Sequence, residues 1–208
     1  MLFKAFINEH RYVGSTSQGK YNTYVPRDRW WLNRKLCIDH LEETHHTVKV
    51  KQDGTVLLTG DLNLIDCGIP SIELVFSEIQ GNAKLQGNKL TNFDWADKLI
   101  VKGNLDIGDN LFTSLSGINK RIKFVGRHIN VGGNPLKGGI LSLMLFQFQN
   151  LEYGNRWGIG NDADLGEDAK KAFKIIEKHR LRSRVDSERI IDAQHELIEA
   201  GLDAYAEL

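Results

Sequence analysis

Residues 101–117, Val-Lys-Gly-Asn-Leu-Asp-Ile-Gly-Asp-Asn-Leu-Phe-Thr-Ser-Leu-Ser-Gly, occur in shifted copies on both sides of themselves, and nothing else in the chain constrains its fold as tightly. Sliding the stretch back by 22 residues lays Ala83, Leu85, Asn88, Leu90 and Phe93 over Leu105, Ile107, Asn110, Phe112 and Leu115. A further 21 residues back stand Leu62, Leu64, Cys67, Ile69 and Ile72. Sliding forward by 24 gives Ile129, Val131, Asn134 and Leu136, with Ile140 one place late. Four aligned copies at a period of 21 to 24 residues predict a solenoid, because a single turn of such a repeat cannot bury its apolar side alone.

Inside each copy apolar and polar residues alternate. Leu62, Leu64, Ala83, Leu85, Leu105, Ile107, Ile129 and Val131 therefore fall on one face of successive strands, which share a core when stacked in parallel. The column Cys67, Asn88, Asn110, Asn134 lies where the chain leaves the strand. An amide at that place bonds backbone groups of neighbouring turns that are otherwise buried without partners. Gly60, Gly81 and Gly103 stand two residues before the first inward position, where a missing side chain allows close approach of the turns. The fourth copy has Gly126 and Arg127 in place of Lys102 and Gly103, so strict register points Arg127 inward. A bulge is expected there.

The flanks read differently. Residues 14–23 are rich in Gly, Ser, Gln and Asn and read as an exposed loop, after an apolar cluster of Leu2, Phe3, Phe6, Ile7, Tyr12 and Val13. Over 26–43, Pro26 and the spacing of Trp30, Trp31, Leu36, Cys37 and Leu41 predict an amphipathic helix, with the paired tryptophans as candidate lid contacts over the first turn. Val48 and Val50 alternate with lysines before Asp53-Gly54, which predicts a hairpin into Val56-Leu57-Leu58. Beyond 139 the repeat stops. Residues 140–148 are apolar enough for a closing strand or short helix, and 150–164 read as a loop carrying Tyr153 and Trp157. From 165 onward the period becomes helical, with one stripe at Ala169, Ala172, Phe173 and Ile176 and another at Ile190, Ala193, Leu197 and Ile198. Asp186 is placed to cap the second helix and Gly201 to end it. The predicted organisation is α+β: an N-terminal aromatic cap over 1–50, a parallel β-solenoid of about four coils over 51–140, and a C-terminal helical cap over 141–208.

Composition narrows the function classes. Lys+Arg and Asp+Glu both total 27 in 208 residues, so no whole-molecule field draws the chain to nucleic acid or an anionic membrane. The longest apolar runs are too short to cross a bilayer, and Met1 to Phe6 lacks the residue order of a secretory leader. Two cysteines, Cys37 and Cys67, make no disulfide framework, which points to a reducing compartment and hence the cytoplasm. Cys37, Asp39, His40, His45 and His46 fit no standard metal spacing, so no metal site and no cofactor is expected. The motifs Gly-x-Ser-x-Gly, His-Glu-x-x-His and the phosphate-binding Gly-x-x-x-x-Gly-Lys-Ser/Thr are missing from the sequence, and the reading is a chain with no catalytic residues. What remains is surface. The outward columns offer Gln80, Asn82, Lys84, Lys102, Asn104, Asp106, His128 and Asn130 as a polar strand face of mixed sign, suited to hydrogen-bonded recognition and equally to solubility. Lys170, Lys171, Lys174, Lys178 and Arg182 form a basic run that can follow phosphates or simply balance the acids after residue 186.

The rung at 101–105, with Asn110 and the return Phe112-Thr113-Ser114-Leu115-Ser116-Gly117, resembles the short leucine-rich-repeat-like proteins common in tailed bacteriophages. Asp53-Gly54-Thr55 with residues 59–64 is similar to that group's leading hairpin and first coil, and residues 194–202 to its tail; the resemblance covers roughly 47–208. Ala83 at a large-residue position, the Lys137-Gly138-Gly139 return and the 24-residue step depart from it. The resemblance implies a phage gene product with a repeat fold and no agreed activity. The expected function is protein binding in the host cytoplasm, to a host or phage protein such as a defence factor. The alternatives are a minor virion or assembly protein and, behind that, nucleic-acid binding through residues 170–184.

Overall fold

The computed structural model describes residues 48–146, 157–158, 166–179 and 187–208. The aromatic lid with Trp30 and Trp31, the Cys37 and histidine cluster, Tyr153, Arg182 and the Asp186 cap lie outside the described residues.

The chain winds into a parallel β-solenoid of about three turns with a few helices. Each turn contributes to two sheets. One is built from β1 (Val48–Val50), β2 (Val56–Leu58), β4 (Phe76–Ile79), β6 (Ala96–Val101) and β8 (Ile122–Val125), in that spatial order. The other stacks β3 (Leu62–Asn63), β5 (Ala83–Lys84), β7 (Leu105–Asp106), β9 (Ile129–Asn130) and β10 (Trp157–Gly158). All pairings are parallel except β1 with β2, the hairpin expected at Asp53-Gly54, where Gly54 has φ 83° and Asp53 accepts the Thr55 N–H at 2.8 Å. Trp157 was expected in a loop; its backbone instead pairs with Ile129 and extends the second sheet.

The repeat columns are the core. Leu62, Ala83, Leu105 and Ile129 lie in one register, and the columns from Ile69 to Leu136 and from Ile72 to Ile140 are buried with them. A second set of inward columns comes from the longer strands, among them Leu58, Ile79, Val101 and Val125. Sequence alternation marks the short-stranded sheet and, of the longer-stranded one, only the leading hairpin. The longer strands carry no clean period-two signal: Val56-Leu57-Leu58 and Leu99-Ile100-Val101 are uninterrupted apolar runs, and Phe76–Ile79 sets two polar residues side by side.

Each turn leaves the short strand through a left-handed residue followed by the buried column. Asp66, Gly87, Asp109 and Gly133 have φ of 52°, 71°, 50° and 69°. A side chain on Gly87 would overlap the Asp66 carboxylate, and one on Gly133 that of Asp109, so aspartate and glycine alternate up the corner. The next residue is the asparagine. Asn110 accepts the Leu90 N–H of the preceding turn at 3.0 Å and donates to the carbonyls of Leu85, Ile107 and Gly108 at 2.9, 3.1 and 2.9 Å. Asn88 and Asn134 repeat this arrangement. In the first turn Cys67 replaces the amide and its thiol donates to the Ile65 carbonyl at 3.5 Å.

The longer step to the fourth copy is absorbed upstream of the expected bulge. Helix α1 (Ile118–Arg121) inserts one turn, and Lys123 is the extra residue between the pairs Leu99 to Ile122 and Ile100 to Phe124. By Gly126 the register is restored, the Arg127 N–H donates to the Gly103 carbonyl as Gly103 does to Gly81, and the Arg127 side chain is exposed.

A 3-10 segment (Ile140–Leu145) closes the solenoid, and helices α2 (Glu167–His179) and α3 (Ser187–Glu199) pack on it, extending one continuous core. The α2 stripe Ala169, Ala172, Phe173, Ile176 is buried as expected. On α3 the burial falls on Ala193 and Leu197; Ile198, expected with them, is 46 % exposed. Gly201 ends α3 with φ 72°, the Leu202 N–H returning to Leu197 and the Gly201 N–H to Ile198. A last 3-10 turn (Asp203–Ala206) then docks on the final return: Gly139 N–H donates to Ala204, Tyr205 Oη to the Leu136 carbonyl at 3.3 Å, and Ser116 Oγ to Glu207 at 3.1 Å.

Candidate functional site

The expected strand face is the outer side of the short-stranded sheet, and its side chains are largely engaged with one another. Asp61 accepts the Asn82 backbone N–H at 2.8 Å and its amide at 3.0 Å, and Asn82 in turn accepts the Asn104 N–H at 2.9 Å. Lys84 Nζ lies 3.0 Å from the Asp61 carboxylate. One rung along, Asp106 accepts from Asn130 at 3.0 Å and from the Gly108 N–H at 3.0 Å, while Asn130 accepts from Gly132 at 3.1 Å. These bonds form a polar ladder that ties adjacent turns together outside the core. The Asn82 N–H, followed by Lys84, holds the Asp61 carboxyl well below its ordinary range, at about 2. His128 is half-buried at the top of the same column.

Gln80 and Lys102 differ from the rest. They sit on the corner where the two sheets meet, and both are exposed. The Lys102 ammonium lies 5.8 Å from the centroid of the Phe124 ring, within reach of a cation–π contact.

That ring belongs to a surface the repeat alignment did not single out. On the outer side of the longer-stranded sheet, Lys49, Leu57, Glu78, Ile100 and Phe124 share one register across all five strands. Leu57, Ile100 and Phe124 are only partly covered, whereas their neighbours Leu58, Val101 and Val125 are fully buried. The signal was present in the runs Val56-Leu57-Leu58 and Leu99-Ile100-Val101: when three apolar residues follow one another in a strand, the middle one faces away from the other two.

The basic run resolves into ion pairs. On α2, Lys170 pairs with Glu167 at 3.1 Å, Lys171 with Asp168 at 3.8 Å, and Lys178 with Glu196 of α3 at 2.6 Å. His179 Nε2 shares the same Glu196 oxygen at 2.7 Å. Glu196 is held below the usual carboxylate range by Lys178 first and His179 second. Lys174 is exposed without a described ion pair. Among the described residues no group of His, Cys, Asp or Glu is arranged to hold a metal ion, and no helix is long and apolar enough to cross a membrane. No family model, no curated protein and no solved structure matches the chain.

Proposed function

We propose that the chain is a non-catalytic binding solenoid that recognises a protein partner across the outer face of its longer-stranded sheet and the adjoining corner. The observation that carries this reading is the register of Leu57, Ile100 and Phe124, three partly exposed apolar side chains in one column, with Glu78 among them and Lys49, Gln80 and Lys102 at the rim. An apolar centre with a polar, charged border is the anatomy of a recognition surface. Asn82, Lys84, Asp106 and Asn130 are occupied in the ladder and contribute chiefly to holding the turns together. Taken with the likeness of its rungs to leucine-rich-repeat-like phage proteins, the reading makes the partner a host or phage protein met in the host cytoplasm, and blocking a host or defence factor is a role this scaffold fills.

Affinity capture from producing cells tests it, comparing the wild type with Ile100→Lys combined with Phe124→Lys, and with Lys84→Glu. The double variant is expected to lose a partner that Lys84→Glu retains. Capture unchanged by the double variant overturns the sheet face as the site. Stoichiometric recovery of the chain in purified particles transfers the reading to a virion component.

A further inference from the structure

Helix α3 carries a second apolar row that the core does not use. Ile191 and Ile198 stand seven residues apart and are 48 % and 46 % exposed, on the side away from Ala193 and Leu197. With exposed His195 between them they form an i, i+4, i+7 line, the spacing by which one helix seats against another. At 100° per residue, Glu188, Asp192 and Glu199 fall along one flank of this line, and Ser187 and Gln194 along the other. Among the described residues those three acids enter no ion pair. Among the described residues, the Arg189 guanidinium donates to the His179 carbonyl at 3.3 Å and Lys178 is held by Glu196.

We propose that this stripe docks an amphipathic helix of a partner protein whose apolar heptad face is bordered by lysine or arginine. The charge pattern selects that occupant. Apolar contact at Ile191 and Ile198 supplies the attraction, and the one-sided acidic border fixes the sign and orientation of what approaches. A second copy of α3 paired antiparallel is disfavoured, because the twofold keeps each acidic flank on the same side and sets carboxylate against carboxylate, and a second copy in the parallel sense offers the acids only Ser187 and Gln194 and no cation. The chain's own α2 offers the right charge at Lys171, Lys174 and Lys178 but exposes no apolar row between them. This surface belongs to the helical cap, so its test is independent of the sheet face.

The experiment uses the full chain and two synthetic helical peptides of about three heptads, each with Ile and Leu at the seam positions, one flanked by lysine and its twin by glutamate. Fluorescence anisotropy is expected to show the lysine peptide binding at least about tenfold more tightly than its twin, a difference of about 1.4 kcal/mol. Ile191→Ser with Ile198→Ser, both on an exposed face, is expected to abolish binding with the circular dichroism unchanged, and Glu188→Lys with Asp192→Lys to invert the preference. Binding of neither peptide, equal binding of both, or binding that survives the serine variant overturns the proposal. Self-association of the free chain that disappears in the serine variant also overturns it, by assigning the stripe to a second copy.

Discussion

At the scale of single residues, the asparagine column does what no apolar side chain can: it pairs buried backbone groups of adjacent turns. Asn110 serves four backbone groups from two turns, all in the interior. Replacing it with alanine removes the hydrogen bonds and leaves those groups desolvated, at about 1–3 kcal/mol for each group left unpaired. Asn110→Ala is therefore expected to destabilise the protein by about 3 kcal/mol or more, read as a fall in the urea midpoint at constant slope. The column was legible because the requirement recurs: each turn leaves its carbonyls in the same place, and an amide offers two donor hydrogens and an acceptor oxygen at once. The corner beside it was not legible. Its requirement is a left-handed backbone, met by aspartate at two corners and glycine at two, so no single residue type marks every corner. Asp61 adds a pH dependence. Its folded-state pKa lies below that of the unfolded chain, so its contribution is present above about pH 4 and is lost as pH falls toward 2. In Asp61→Asn the acid limb of stability, followed by thermal melts from pH 5 to 2, is expected to be shallower. The group is more than a third exposed, so the difference is small.

Elements show where the sequence was readable and where it was silent. The short strands and the buried helical stripe of α2 were read from periodicity, since alternation and the 3.6-residue repeat survive wherever one face is wet. Of the longer-stranded sheet only the β1–β2 hairpin is legible, because Leu99-Ile100-Val101 shows no alternation, and Ile198 falls outside its expected stripe because hydrophobicity alone does not tell a packed face from an exposed one. The glycine pair in the last return, a departure from the repeat, is explained by the tail that lands on it. Gly138 lies against the Ala204 carbonyl, and a side chain on Gly139, which has φ 68°, would overlap Ser116. Gly139→Val is expected to release the 203–208 segment. Hydrogen exchange is then expected to accelerate at Tyr205 and Gly139 while the amides of β5 and β7 stay protected.

Over the whole molecule, stability is transmitted from turn to turn, and the position of a lesion decides its reach. Leu105→Asp places an unpaired charge in the central turns and is expected to abolish cooperative unfolding altogether. Tyr205→Ala, at the edge, is expected to cost about 3–5 kcal/mol locally and to leave the circular dichroism of the strands intact. The equal numbers of cations and anions give no long-range attraction to polyanions, in keeping with α2 lysines that already have carboxylate neighbours. Because β1 runs against β2, it cannot serve as a parallel template, and among the described residues the parallel stack starts at β2. Lengthening the protein is therefore a matter of splicing into its middle. A duplicate of residues 82–103 inserted after Gly103 is expected to fold with one more strand in each sheet, whereas the same duplicate placed ahead of Val48 meets β1 in the wrong sense for a parallel rung.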